Sequence, residues 1–269
     1  YKIYFQIFFS TFFSSACIYF DQKLIIIPII SFLTIIFSKK IIKLKLFSIC
    51  LYIMLSIPYF YLIKLWGGIF PTNLTIARNL ANQLYLEHIG YTSTIIAFYL
   101  VPFLLFKGKN LFIDIKKFFL KKYNYYLILL FLIYIFYLII SSIFNDQISL
   151  NIETSLGKGF IHKFSFILFQ DNLIFREIFI YFSFLISWLI ILIFLNKNVK
   201  NSLILLYFFI LSIFILPLMQ EYFDPLILII VFTFFSSKIF INYKNALILF
   251  AYLSIFLVIS NIYYYNLLN

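Results

Sequence analysis

The sequence predicts an all-α protein, a polytopic transmembrane helical bundle of about nine spans. Three observations carry that reading. Of 269 residues, 65% are hydrophobic and only 11% charged, too few polar groups to cover a water-soluble surface, so lipid is the solvent for much of the chain. The apolar residues fall in long runs separated by short polar stretches. The basic residues concentrate in alternate stretches between those runs.

Crossing the hydrocarbon takes about 20 apolar residues, fewer where neighbouring helices or local thinning help. On that criterion the spans fall at 3 to 20, 24 to 37, 46 to 66, 93 to 106, 124 to 144, 177 to 195, 202 to 217, 225 to 236 and 246 to 265. The second, fourth and eighth are short, which leaves them open to being re-entrant or to extending into flanking polar residues. Between the first two, Asp21, Gln22 and Lys23 form a minimal polar tip. Between the fourth and fifth, six lysines from Lys107 to Lys122 alternate with Leu111, Ile115, Phe118 and Phe119, the pattern of a basic amphipathic helix lying on a membrane surface. Two connections are long enough to build something, 67 to 92 and 145 to 176, and both are rich in Asn, Gln, Thr and Ser.

Charge predicts the orientation, because short loops bearing Lys and Arg are retained on the cytoplasmic side. One set of alternate connections holds fifteen of the 21 basic residues and a single acid, Asp114. The other set holds Lys23, Lys64, Arg78, Lys158, Lys163 and Arg176, eight of the nine acids and both histidines, His88 and His162. The long connections are therefore expected outside the cytoplasm. The net charge of +12 is accounted for by lysines facing an anionic leaflet and calls for no nucleic-acid partner.

Cys17 and Cys50 lie within apolar runs and read as small hydrophobes, with neither a disulfide nor a metal site implied. No cofactor motif is present: the sequence lacks a Walker A loop, a GxSxG elbow, an HExxH pair and a dinucleotide fingerprint. The abundance of Phe, Ile, Tyr, Asn and Lys fits AT-rich coding, so aromatic richness by itself is no functional signal. The chain opens on Tyr1 inside a hydrophobic stretch and reads as a single transmembrane domain over 1 to 269, expected to be the C-terminal part of a longer protein.

Candidate functional residues gather on the predicted outer side. Asp171, Asn172, Arg176 and Glu177 fall within seven residues. Asp171 and Arg176 bracing each other while Asn172 binds a ligand hydroxyl is one reading; a helix N-cap is the other. Gln220, Glu221, Tyr222, Phe223, Asp224 and Pro225 form a tight turn, where a carboxylate beside the hydrocarbon is either paired or functional, and the Tyr and Pro serve equally as interface anchor and turn former. His88 and His162 are too isolated for a zinc pattern and read either as ordinary loop histidines or as phosphate contacts. Gly67 and Gly68 allow a sharp turn, or a headgroup's close approach, at the membrane surface.

The order of these features resembles a family. The run from Ser15 through Asp21-Gln22-Lys23 to Ile26, then Trp66-Gly67-Gly68-Ile69, then His88 before another span, is similar to the polytopic glucosyltransferases that add the terminal α-1,2-linked glucose to the lipid-linked oligosaccharide from dolichyl-phosphate glucose, members of the GT-C superfamily. Gln22 matches the family's first motif, although Asp21 stands where the family has Arg. Gly67, Gly68 and Ile69 match its glycine-rich loop without the Asp that follows. His162 before Asp171-Asn172 resembles its third motif at longer spacing, with Arg176 displaced, and Glu221-Tyr222-Phe223 before Pro225 resembles a late Glu-x-Arg-Tyr-Tyr segment without the Arg.

The resemblance implies a GT-C-like, inverting hexosyltransferase in the endoplasmic reticulum or a bacterial inner membrane, working on its non-cytoplasmic face. A polyprenyl (dolichyl)-phosphate sugar is the implied donor, and a lipid-linked glycan or other extracytoplasmic hydroxyl the acceptor. Asp171 and Glu221 are the candidate catalytic carboxylates. Gln22, Gly67, Gly68, Arg78, His88, His162, Asn172, Arg176 and Tyr222 are the candidate substrate contacts, no metal or other cofactor is implied, and the principal base is expected upstream. A secondary transporter or flippase, an O-antigen ligase type of enzyme and a non-catalytic membrane subunit are the rival readings. The near absence of charge within the predicted spans weighs against ion coupling.

The predicted orientation is tested by cysteines introduced at Asn82 and Ser155, which are expected to react with an impermeant reagent in correctly oriented vesicles. Protection of both, with labelling at Asn110 instead, inverts the topology.

Overall fold

The computed structural model describes residues 2–20, 24, 26–38, 41–66, 84–106, 108, 110–144, 158–170, 172–195, 199–213, 218, 227–228, 231 and 242–268. Among them run ten α-helices: α1 (Lys2–Phe20), α2 (Ile26–Ile36), α3 (Ile42–Trp66), α4 (Glu87–Leu105), α5 (Asn110–Phe119), α6 (Lys122–Phe144), α7 (Gly159–Phe169), α8 (Leu173–Leu195), α9 (Val199–Ile213) and α10 (Tyr243–Leu268). The described residues contain no strand. Five stretches are long and apolar enough to cross a bilayer, Ile42–Leu65, Glu87–Leu105, Asn124–Ile143, Leu173–Phe194 and Tyr243–Ile262, and three apolar helices are shorter. The protein is a helical integral membrane protein.

The chain divides into two compact units, residues 1–85 with 203–216 and residues 86–202 with 217–269. In the first unit α1, α2 and α3 pack on one another. The residues of α1 that turn inward are Ile7, Thr11, Ser14 and Ser15, and they are joined in burial by Ile30 and Ser31 of α2 and Leu44 and Ser48 of α3. Phe5, Phe8, Phe9, Phe12 and Phe13 of α1 are exposed. This is the membrane inversion of the usual pattern: lipid solvates the aromatic faces, and small hydroxyl residues let backbones approach where helices meet. Ser14 Oγ donates to Thr11 O (3.0 Å) and lies 3.1 Å from Tyr52 Oη, Tyr19 Oη donates across to Leu55 O (3.1 Å), and Thr11 Oγ1 and Ser48 Oγ are buried with no hydrogen-bonding partner among the described residues.

In the second unit α4 is the central element. Sixteen of its 19 residues are buried, the behaviour of a helix surrounded by others. It packs on α8, α7 and α10, while α6 and α5 lie against α8 and against each other. Aromatic contacts fill the seams: Phe131 stacks on Trp188 (4.6 Å between centroids), Phe98 meets Phe160 (4.9 Å) and Phe256 (4.5 Å), and Tyr252 Oη donates to Phe98 O (3.0 Å).

Eight of the nine predicted spans coincide with described helices, and the amphipathic stretch is α5. The eighth, 225 to 236, falls almost wholly outside the described residues. Two expectations are corrected. The fourth helix starts at Glu87 rather than 93, because Glu87, His88, Thr92, Ser93 and Thr94 are buried against protein, so their polarity marks an interior face and not a loop. The stretch 145 to 176 includes α7, whose Gly159, His162 and Ser165 are buried.

α4 approaches α8 tightly at Gly90, where an added Cβ would collide with the Phe184 ring. Gly90→Ala gains about 1 kcal/mol of helix propensity at most, whereas forcing the fully buried Phe184 aside costs about 1–3 kcal/mol. Net destabilisation is therefore expected in detergent unfolding, with Phe184→Leu restoring much of it in the double variant. A Gly90→Ala protein as stable as its parent shows that α4 and α8 do not meet this closely.

Candidate functional site

The first turn of α4 begins inside the second unit. Leu86 precedes it without any side-chain cap, and the capping role falls to α6: Tyr134 Oη donates to Leu86 O (2.7 Å) and accepts from Gly90 N (3.1 Å). Tyr134 and Phe184 lie near the middle of α6 and α8, so the helix start is recessed among its neighbours. A recessed N-terminus aims the positive end of the helix dipole into protein rather than water.

Polar groups from three helices surround that turn. Glu87, His88 and Tyr91 come from α4, Lys158 and His162 from the start of α7, and Arg176 from the first turn of α8; none is more than 5% exposed. Tyr91 is the hub. Its ring packs edge-on to Phe184 (5.0 Å) and to the His162 imidazole (6.3 Å), and Lys158 Nζ lies 5.9 Å from its centroid. Its hydroxyl is buried with no hydrogen-bonding partner among the described residues. Arg176 lays its guanidinium over Phe166 (5.2 Å), one turn beyond His162.

Backbone geometry holds Lys158 in this setting. It adopts a left-handed conformation (φ 66°) immediately before Gly159 (φ 70°), and a Cβ on Gly159 would press on Ile95 at 3.1 Å. For a non-glycine residue that conformation costs about 1–2 kcal/mol. Burial pushes the Lys158 ammonium down to about 8; the nearby Glu87 carboxylate opposes the shift and the Arg176 charge adds to it.

Of the residues singled out from sequence, His162 meets the Tyr91 ring, Arg176 is buried with its guanidinium over Phe166 one turn beyond His162, and His88 is buried on the same turn of α4. Asn172 is exposed and caps α8, its side-chain oxygen accepting from Phe175 N (3.2 Å). Gln22, Gly67, Gly68, Arg78, Asp171, Glu221 and Tyr222 lie outside the described residues. Glu87, Tyr91 and Lys158 are the members that sequence reasoning missed. Their signal was the one-turn spacing of Glu87 with Tyr91 and of Lys158 with His162, polar pairs that share a helix face. Among the described residues no three His, Cys, Asp or Glu side chains are placed to hold a metal ion.

The Lys158 shift has a definite pH signature. Its pKa in the folded protein, about 8, lies below the ordinary 10.5, so between these values the unfolded chain holds a proton that the folded one has released. Stability therefore rises with pH across that window, by roughly 3 kcal/mol at most. Unfolding in detergent from pH 7 to 10.5 is expected to show this rise in the parent and to lose it in Lys158→Met, which is also the more stable protein at pH 7. Identical pH profiles place the ammonium in water. No family model, curated protein or solved structure matches the chain, so the site is read from its own chemistry.

Proposed function

We propose that this protein is a membrane glycosyltransferase of GT-C type that takes a hexose from a polyprenyl (dolichyl)-phosphate donor, and that the buried cluster at the start of α4 receives the donor phosphate. The observation that carries the reading is the gathering of Lys158 and His162 at the Tyr91 ring, with Arg176 buried over Phe166 one turn beyond His162, beside a recessed helix N-terminus. Guanidinium, ammonium, imidazole and helix-end amides are the groups that recognise phosphate oxygens. They hold most strongly where water is excluded.

Inverting transfer needs two things from the protein. A carboxylate takes the proton of the acceptor hydroxyl as the new glycosidic bond forms, and cationic donors stabilise the departing phosphate. Arg176, Lys158 and His162 fill the second role in this reading, and His88 extends it along α4. Glu87 joins Asp171 and Glu221 as a carboxylate candidate for the first. The finer features of the proposal are about nine spans, a functional face outside the cytoplasm and a lipid-linked glycan or other extracytoplasmic hydroxyl as acceptor.

One observation favours a second reading. A helix start recessed to the middle of its neighbours, ringed by ionisable side chains, is also how secondary transporters hold an anionic solute. The two readings separate by experiment. In the full-length protein, Arg176→Gln, His162→Ala, Asp171→Asn and Glu221→Gln are each expected to lower sugar transfer from a polyprenyl-phosphate hexose at least about tenfold, or about 1.4 kcal/mol of transition-state stabilisation. Asn172→Ala, which removes only a cap, is expected to retain transfer. Absence of transfer in the parent, together with uptake of a phosphorylated solute that Arg176→Gln abolishes, establishes the transporter instead.

A further inference from the structure

The ten-residue helix α5 is confined by its neighbours in the chain. α4 ends at Leu105, α5 runs from Asn110 to Phe119, and α6 begins at Lys122, with α4 and α6 both of spanning length and composition. A helix of this length cannot cross the hydrocarbon. Tied within a few residues to two spans, it has to lie where they leave the bilayer.

Its two faces differ. The inner one is fixed to the bundle: Phe118 is buried, Asn124 Nδ2 at the start of α6 donates to Phe118 O (2.6 Å), and α5 packs on both α6 and α8. The outer face exposes Phe112, Ile113 and Phe119, and Leu120 continues it beyond the helix end. Lys116, Lys117 and Lys121 are exposed among them. Helical spacing sets Phe112, Lys116 and Leu120 in one row and Ile113 with Lys117 in the next, so cations and large apolar groups alternate over one surface. The acid of this helix, Asp114, is half-buried.

We propose that α5 binds the anionic headgroups of the leaflet at its end of the bundle, with Phe112, Ile113, Phe119 and Leu120 among the upper acyl carbons and Lys116, Lys117 and Lys121 against lipid phosphates. A surface that is apolar and basic at once is complementary to an interface that is apolar and acidic at once. A second copy of the chain offers a poorer match, because its own lysines would face these. The proposal is independent of what the Tyr91 cluster binds.

The test uses the full chain carrying Cys17→Ser and Cys50→Ser, with Phe112→Cys labelled by an environment-sensitive fluorophore. It is reconstituted into phosphatidylcholine vesicles or into equal parts phosphatidylcholine and phosphatidylglycerol. Leu257→Cys in α10, lipid-exposed in either membrane, serves as the reference, and thermal unfolding in detergent confirms that each variant folds. The expected result is a blue shift and stronger quenching by brominated lipid at position 112 in the anionic vesicles. High salt reverses both, and Lys116→Gln/Lys117→Gln/Lys121→Gln abolishes the difference between membranes. Equal emission in the two membranes, or a headgroup dependence that survives the triple variant, overturns the proposal. A shift that follows protein-to-lipid ratio instead of headgroup also overturns it, and assigns the face to contacts between copies.

Discussion

The contact of Gly90 with Phe184 governs the second unit. Without a side chain at position 90, α4 and α8 approach until the Phe184 ring occupies the space a Cβ would need. That approach carries the start of α4 in among its neighbours, where Tyr134 reaches both Leu86 O and Gly90 N. One hydroxyl thereby serves a carbonyl before the helix and an amide of its first turn. The requirement is severe in a membrane protein, because an orphan backbone group far from water costs several kcal/mol. Tyr91 follows from the same contact, since its ring packs edge-on to Phe184 and sets where His162 and Lys158 meet it.

Packing in both units runs on a logic opposite to that of a soluble core. Between helices in lipid there is little gain in removing apolar surface from water, so contact quality, small residues and hydrogen bonds set the association. Thr11, Ser14, Ser15, Ser31 and Ser48 in the first unit, and Thr92, Ser93 and Thr94 in the second, are accordingly inside. Several spend their hydroxyls on a carbonyl one turn back, as Ser93 does on Gly90 O (2.6 Å) and Thr94 on Tyr91 O (2.7 Å). The large aromatic and aliphatic residues divide between lipid and the rings around Phe98 and Phe131.

This inversion explains what was legible in the sequence. Hydropathy finds helices that face lipid, and the helical membrane class, the positions of eight helices, five of them long and apolar enough to cross a bilayer, and the basic helix α5 were all readable from it. It fails where a helix faces other helices. The start of α4 reads as loop because Glu87, His88 and Thr92 are polar, and α7 was absorbed into a polar connection because Lys158, His162 and Lys163 break its apolar run. The site was half legible for the same reason. His162 and His88 stood out as the two histidines and Arg176 as a member of the polar cluster from Asp171 to Glu177, but the elements that gather such residues were the ones hydropathy missed. Tyr91 carried only its one-turn spacing from Glu87, a faint signal in a chain with 22 tyrosines.

Stability alone gives a poor account of the cluster. Burying Lys158 and Arg176 with Glu87 removes three charges from water, and buried ion pairs of this kind are on balance no more stabilising than apolar groups of the same volume. The left-handed backbone at Lys158 adds strain, and burial of its ammonium, which lowers its pKa, adds a desolvation cost. Leu or Phe at these positions would build a firmer bundle from residues this sequence uses freely. Strain and charge burial coincide at one turn, beside a helix end recessed among its neighbours and a buried tyrosine hydroxyl with no partner among the described residues. Costs concentrated in this way, in a protein that elsewhere keeps its cations exposed on helices such as α5, are what phosphate binding would offset in the proposed function.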